Sequence, residues 1–497
     1  MNPLYDPVQA AQWLRDRVTG NLSSDSRKVG RGDGFIAWPG AATDARRYVG
    51  DVLKAGAGAC LVEAQGVRDA LGDASSDPRV AAYVGLKVAA APIAAAYFND
   101  PSKELQVIAV TGTNGKTSTA WWLAQAWCKL GQKCGVIGTL GIGAPDAVVF
   151  NGLTTPDPVL LQQQLRRFVD EGFKACVIEA SSIGLAEHRL DATHIQIAIF
   201  TNFTQDHLDY HGSMDAYWGA KQALFGWPGL CAAVVNIDDA KGSVLKTMFA
   251  DSSVDVWTVS ATGTARLQAQ HIEQRGQALV FDVVEGSDRQ QIQATSAGVY
   301  NVSNLLGVVA AMRASGITLG DAVRACSGLP SVPGRLDTFT APGQPLVVVD
   351  YAHTPDALEK VLLALGSVAK GRAGNLWCVF GCGGERDALK RPLMAAVAQK
   401  YADQVVVTSD NPRGESAANI ISQILSGLSP TDSVHVQVDR ALAISHAIAT
   451  AQRGDVVLLA GKGHENYQEI GGVKSVFSDR THAETALRRR ATWSPAP

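Results

Sequence analysis

The strongest constraint on this chain is a pattern that runs twice, in which short, wholly apolar runs alternate with segments of helical periodicity. The first set of apolar runs lies at 105–110, 175–179, 195–201 and 232–236, with a helical stretch at 118–130. Strands that are apolar on both faces and joined by helices imply a parallel sheet covered on both sides. After Pro330, Pro333 and Gly334 the pattern restarts. Apolar runs at 346–350, 376–380, 405–408, 434–438 and 456–460 alternate with helical stretches at 355–365, 418–428 and 441–451. This predicts a second, doubly wound α/β unit. Between the two, 252–296 reads as strands (254–259, 278–284) without intervening helices, and 301–315 reads as helix.

Residues 1–100 differ in character. Strand signals at 34–38 and 59–63 stand among loops rich in Gly, Asp and Arg, and Asn99-Asp100-Pro101-Ser102 makes a turn. The most apolar window, 80–98, is interrupted by Lys87 and Pro92. It predicts a buried or linker helix rather than a membrane span. No basic segment leads into an apolar one near Met1, so no secretory signal is expected. A length of 497 residues suits about three domains at roughly 100–200 residues each. Composition draws them at 1–100, 101–335 and 336–497. With 44 basic and 47 acidic residues the net charge is −3, which is no footprint for nucleic acid. The eight cysteines include no CxxC pair, which argues against a zinc site and a disulfide framework. A soluble, cytoplasmic, monomeric enzyme is expected, with no membrane insertion.

In doubly wound sheets ligands bind beyond the carboxyl ends of the strands, and the chemistry-bearing residues sit at such ends. The segment LQVIAVTGTNGKTST reads as strand, glycine-rich loop and helix. Gly112 and Gly115 let the backbone turn its N–H groups toward an anion. Lys116 supplies a charge for β- and γ-phosphates, and Thr117 a hydroxyl for Mg2+. The loop departs from a full Walker A, because Val110 stands where its first glycine belongs. Glu179 ends the next strand; a carboxylate there suits Mg2+ beside the phosphate loop, the alternative being a helix cap or an ion-paired glutamate. Asp206, His207, Asp209 and His211 crowd the end of the following one.

The segments GTNGKTS (112–118), EASS (179–182), TNFTQDHLDYHG (201–212), DYAHTPDALEK (350–360), FGCGGERDALKRPLM (380–394), DNPRGES (410–416) and GKGHE (461–465) resemble, in this order, the Mur ligases of peptidoglycan synthesis. The likeness is to the branch that adds meso-diaminopimelate. It implies three domains: an N-terminal one for a uridine nucleotide, a central ATPase, and a C-terminal Rossmann-like one. It also implies ATP-dependent amide formation. The D-glutamyl carboxylate of UDP-N-acetylmuramoyl-L-alanyl-D-glutamate attacks the γ-phosphate, and the amine of meso-diaminopimelate then displaces phosphate from the acyl phosphate. The DNPR, GCGGERD and GKGHE segments speak against a lysine-adding or folylpolyglutamate-synthase-like ligase.

By the same resemblance, residues 112–118, namely Gly112, Thr113, Asn114, Gly115, Lys116, Thr117 and Ser118, would bind ATP together with Asn301, Arg335 and Asp350. Asn304 and His353 would lie close by. Two Mg2+ ions are implied, the first held by Thr117 and Glu179, the second by His207 and Lys221. Lys221 would act as its carbamate (N6-carboxylysine); on its own it reads as a solvated helix lysine. Catalysis would rest on Lys116, Lys221, His207 and Glu179. Ser24, Ser26, Thr154, Thr155, Ser181, Glu187 and Arg189 would hold the UDP-muramoyl peptide. Arg386, Asp410, Asn411, Pro412, Arg413, Gly461 and Glu465 would hold diaminopimelate. An arginine fork recognises a carboxylate bidentately and a glutamate pairs with an ammonium. The chain departs from the family at Ile183, often His; at Glu187, commonly Gln; at Ser24, where a leucine contact is common; and at Ala41-Ala42-Thr43, elsewhere a polar patch.

Overall fold

The computed structural model describes all residues except 1, 2, 41, 42, 276, 277, 296, 297, 430, 432 and 494–497. A four-stranded parallel sheet runs in chain order through Leu22–Ser23, Gly34–Ala37, Ala59–Glu63 and Val80–Tyr83. A ten-stranded sheet follows. At its middle Gln106–Thr111 lies between Ala175–Glu179 and Ile197–Phe200, parallel to both. Cys134–Gly138 and an antiparallel Gly141–Gly143 complete one side. Ala232–Asn236 and Asp255–Ser260 extend the other, and Leu267–Arg275, Ala278–Glu285 and Asp288–Ala294 close it as a meander. The third sheet has six strands in the order Asp337–Phe339, Leu346–Asp350, Val456–Ala460, Leu376–Phe380, Gln404–Val407, Val434–Val436; the first pair is antiparallel and the rest are parallel.

The continuous apolar runs are explained by the two faces they serve. Successive side chains of a strand point to opposite sides of the sheet. Ile108 and Val110 enter one core with the helices Lys116–Lys129 and Tyr300–Ala314. Val107 and Ala109 enter another with Leu161, Leu165 and Phe168 of the helix Pro158–Asp170. That helix lies so close that a β-carbon at Gly135 would come within 2.5 Å of the Phe168 ring. The third sheet repeats the scheme, Val348 packing with Leu358 and Leu362 on one face, Val347 and Val349 with Ile444 and Ala447 on the other. Each fully buried aliphatic side chain contributes about 1.5–3 kcal/mol, so both faces must stay covered for these strands to be stable.

One expectation needs correction. The apolar window 80–98 is not a single helix: Val80–Tyr83 forms the edge strand of the first sheet, and the helix runs only over Leu86–Tyr97. A short apolar run has no periodicity that separates a buried strand from a buried helix. Pro92 remains inside that helix. Helix starts also move slightly: Lys116 rather than residue 118, and Tyr300 rather than 301. Among the described residues no helix is long and apolar enough to cross a membrane.

Candidate active site

The strand Gln106–Thr111 delivers the phosphate loop, and the neighbouring chain end at 201–204 pins it. Thr113 N–H donates to the Asn202 carbonyl at 2.8 Å and Asn114 N–H to Asn202 Oδ1 at 2.9 Å. The Thr201 hydroxyl donates to the Asn114 carbonyl at 2.6 Å. These contacts require glycine at two points. Gly112 has φ +147° and an added β-carbon would stand 1.9 Å from Thr201 Oγ1; Gly115 has φ +85° and would meet Asn304 Oδ1 at 2.4 Å. With the Thr113 and Asn114 amides engaged, an anion is left the first-turn N–H groups of the helix that opens at Lys116, which a helix leaves without internal partners.

Two lysines converge on the loop. Lys116 Nζ donates to the carbonyls of Gly112 at 2.8 Å and Thr113 at 2.9 Å. Lys221 Nζ donates to the same Gly112 carbonyl at 2.7 Å and lies 4.5 Å from the centre of the Tyr217 ring. Lys221 is 1% exposed, so the solvated-helix reading of this residue does not hold. Burial holds the Lys116 pKa below its ordinary value, and burial followed by repulsion from Lys116 holds that of Lys221 well below. His207 is likewise lowered to about 4, chiefly by burial, which leaves a neutral ring.

Glu179 is buried at its strand end. Its carboxylate accepts the Thr117 hydroxyl at 2.9 Å, the Thr139 N–H at 2.8 Å and the Thr139 hydroxyl at 3.1 Å. No ion pair to it occurs among the described residues, so the ion-paired alternative is not realised. Beside it Thr154 and Thr139 share a hydroxyl–hydroxyl bond of 3.0 Å. Thr155 donates to the Glu179 carbonyl at 2.6 Å and bonds Ser181 Oγ at 2.9 Å, while Ser181 caps the helix Ser182–Ala186. Arg189 reaches the Thr155 carbonyl at 2.8 Å.

The third sheet closes over this surface. Arg335 donates to the Thr117 hydroxyl, Asn114 Nδ2 to Asp356 at 2.9 Å, and Gln205 Nε2 to Asp387 at 3.5 Å. Its strand ends bring the second residue set. Asn411 donates to Glu465 at 2.7 Å, and buried Lys462 bridges Asn411 Oδ1 at 3.0 Å and Glu465 at 2.9 Å. Arg413 donates to the Gly384 carbonyl at 2.7 Å and Arg386 to the Glu385 carbonyl at 2.9 Å. A β-carbon at Gly461 would come within 2.6 Å of Asp410 Oδ2.

A cleft of about 490 Å³ joins these groups. Its wall includes Lys116, Thr117, Glu179, His207 and Lys221; Thr154, Thr155, Ser181 and Arg189; and Arg386, Asp410, Asn411, Arg413, Gly461 and Glu465. Ile183 lines it too. A smaller pocket beside it is walled by Ser118, Trp122, Tyr300, Asn301, Asn304 and Asp350. Asn301 and Asn304 lie inside their helix rather than at its cap, which is Val299. Both Asp350 oxygens accept main-chain N–H groups, from Leu336 at 2.8 Å and Ala352 at 2.7 Å, so Asp350 also anchors the hinge.

Five of the expected residues line neither this cleft nor the smaller pocket; one is Gly112, whose carbonyl accepts from Lys116 and Lys221. Ser24 and Ser26 belong to the first sheet's loops. Pro412 packs its carbonyl against Gly384. Glu187 pairs with Lys87 at 2.8 Å and accepts the Tyr210 hydroxyl. Ala41 and Ala42 lie outside the described residues. Thr139, Lys390 and Lys462 are among the groups in or behind the wall that the sequence reading leaves out. Thr139 follows a strand with no distinguishing neighbour, whereas Lys390 and Lys462 stand inside quoted segments but read as ordinary charged positions.

The profile of the Mur ligase middle domain matches residues 110–312, and that of the Mur ligase glutamate ligase domain matches 334–463. The UDP-N-acetylmuramoyl-L-alanyl-D-glutamate–2,6-diaminopimelate ligase of Acidovorax sp. (strain JS42) is 57% identical over 97% of each chain. The chain belongs to the Mur ligase family. Membership makes it an ATP-dependent amide ligase. A solved Mur ligase structure with the same printed name is 34% identical, covers 95% of each chain and superposes with a TM-score of 0.64. The MurF ligase from Thermotoga maritima in complex with ADP, 17% identical over 97% of this chain and 99% of its own, shares the fold with a TM-score of 0.67.

Proposed function

We propose that this Mur ligase joins meso-diaminopimelate to the D-glutamyl carboxylate of UDP-N-acetylmuramoyl-L-alanyl-D-glutamate through an acyl phosphate, as a cytoplasmic monomer making peptidoglycan precursors. The observation that carries the reading is the single cleft walled by the phosphate loop, by Thr155, Ser181 and Arg189, and by Arg413 and Glu465. In-line attack needs all three substrates in one enclosure. The three-part division at 1–100, 101–335 and 336–497 assigns the uridine nucleotide to the first part, with Ser24 and Ser26 its contacts.

The residues present fit two Mg2+ ions. Glu179 is a buried carboxylate without an ion-pair partner, flanked by the Thr117 hydroxyl, and neutral His207 and Lys221 share the same wall. Among the described residues no group of three or more His, Cys, Asp or Glu side chains stands ready to hold a metal. That suits Mg2+, which is bound through one or two carboxylates together with phosphates and water. Thr117 and Glu179 would hold one ion, His207 and carbamylated Lys221 the other. A lysine with so depressed a pKa supplies the neutral amine that adds CO2. When bound, the ions offset charge between the attacking carboxylate and the γ-phosphate.

Lys116 releases its two loop carbonyls to bind the β- and γ-phosphates. Arg189 and Ser181 hold the muramoyl peptide so that its carboxylate faces that phosphate. Arg413 and Arg386 orient a carboxylate of diaminopimelate, and Lys462 keeps Glu465 turned toward its ammonium. A phosphate-release assay tests the reading: turnover requires ATP, the UDP-muramoyl dipeptide and meso-diaminopimelate together. Equal turnover with L-lysine overturns the amino-acid assignment, and release without either acceptor overturns the ligase assignment.

A further inference from the structure

The two arginines assigned to the incoming amino acid sit on separate loops of the third sheet, Arg386 on 381–387 and Arg413 on 410–416. The loops touch closely. The Gly384 N–H donates to the Asn411 carbonyl at 2.9 Å, and a β-carbon at Gly384 would stand 1.9 Å from the Pro412 carbonyl oxygen. Gly383 lies between the arginines: a β-carbon there would come within 2.9 Å of Arg413 Nη1 and 3.8 Å of Arg386 Cγ. Each loop also carries a non-glycine residue in the left-handed region, Glu385 at φ +54° and Arg413 at φ +52°. Such a backbone persists only where its surroundings hold it.

The brace lies behind the cleft wall. Arg391, in the helix Lys390–Tyr401, is 1% exposed and does not line the cleft. Its fork is bidentate to Glu415, with Nη1 donating to Oε2 and Nη2 to Oε1, both at 2.9 Å. Nη2 also donates to the Gly383 carbonyl at 3.1 Å, and Nη1 to Gln423 Oε1 at 2.6 Å. Glu415 in turn accepts the Glu385 N–H. One guanidinium thus holds the first loop at Gly383 directly, and at Glu385 through a carboxylate that belongs to the second loop. A buried ion pair is weak evidence for stability, because apolar residues of similar volume often serve as well. What a planar fork adds is a fixed geometry.

We infer that Arg391 is a positioning residue for the amino-acid substrate. Through Glu415 and Gly383 it clamps the two loops in the one arrangement in which Arg386 and Arg413 face a carboxylate together. It touches no reactant itself. This inference rests on the assignment of diaminopimelate to the third-sheet end of the cleft.

A comparison of the two half-reactions tests it. In the complete assay Arg391→Met is expected to raise the KM for diaminopimelate about 10- to 100-fold, as loss of a hydrogen bond to a charged group does. Its KM for ATP is expected to stay close to wild type. ATP labelled with 18O in the β,γ-bridge is also incubated with enzyme and UDP-muramoyl dipeptide, without diaminopimelate, so that scrambling of the label reports acyl-phosphate formation alone. Scrambling by Arg391→Met is expected to stay close to wild type. Glu415→Ala, at a partly exposed position, is expected to show the same split, with a rise of about 10-fold, and carries the test alone if Arg391→Met does not fold. The double variant is expected to be no worse than Arg391→Met, because both changes remove one brace. A wild-type KM for diaminopimelate in Glu415→Ala overturns the inference. So does an equal rise in the KM for ATP, or scrambling slowed to the same degree, which makes the pair a general support of the fold. Wild-type turnover that does not require diaminopimelate instead brings down the substrate assignment beneath it.

Discussion

The guanidinium of Arg335 donates to the Thr117 hydroxyl at 3.1 Å and lies 4.5 Å from the centre of the Tyr351 ring. The residue two positions before the third sheet's first strand is thereby fastened to the helix that opens at the phosphate loop. Its Nε is buried with no acceptor among the described residues, which leaves a donor for a phosphate oxygen. Arg335→Ala is expected to lower kcat/KM for ATP by about 10- to 100-fold, the equivalent of one charge-assisted hydrogen bond. Steady-state kinetics over a range of ATP concentrations measure this. An unchanged ratio would confine Arg335 to the hinge.

Lys221→Ala is expected to reduce activity severely, with partial recovery on adding formate or acetate, whose carboxylate replaces the carbamate. The buried position of Lys221 leaves room for so small an anion once the side chain is removed. The recovery is read as phosphate release against carboxylate concentration. Its failure would speak for an unmodified lysine.

Arg413→Ala is expected to raise the KM for diaminopimelate much more than that for ATP, because Arg413 borders the cleft beside Gly383 and Gly384, on the third-sheet side away from the phosphate loop. Initial rates with one substrate varied at a time separate the two constants. Equal effects on both would contradict the assigned contact.

Arg440 and Asp479 form a fully buried pair at 2.7 Å, and Arg440 also donates to the carbonyls of Ser409 at 3.3 Å and Ala460 at 2.9 Å. Those carbonyls immediately precede Asp410 and Gly461. Arg440→Met strands a carboxylate in the core and is expected to cost about 3–5 kcal/mol. Arg324→Met, which breaks the exposed pair with Asp321, is expected to cost less than about 1 kcal/mol. Urea unfolding of the two variants side by side checks the difference.

Much of this architecture is legible in the chain because parallel strands must be apolar on both faces. The runs at 175–179, 232–236, 346–350, 376–380 and 456–460 coincide with strands for that reason. The phosphate loop is legible because only glycine fits at 112 and 115. Lys221 is not: its burial depends on Tyr217 and on a carbonyl 109 positions away, and no local pattern encodes such a contact. Lys390 is hidden for a related reason, since a helix-opening lysine beside Arg391 looks solvated until the opposite sheet is in place. The Glu187 pairing with Lys87 joins segments 100 positions apart and had no local signal either.

The cleft is walled by the carboxyl edges of two sheets, and the contact of Arg335 with Thr117 is one joint between them, beside those of Asn114 with Asp356 and Gln205 with Asp387. Neither sheet alone lines the whole cleft, so the enclosure depends on the two staying joined. A compound that spans Lys116 and Arg413 would wedge that joint at one fixed angle, and it would stall turnover without resembling any one of the three substrates.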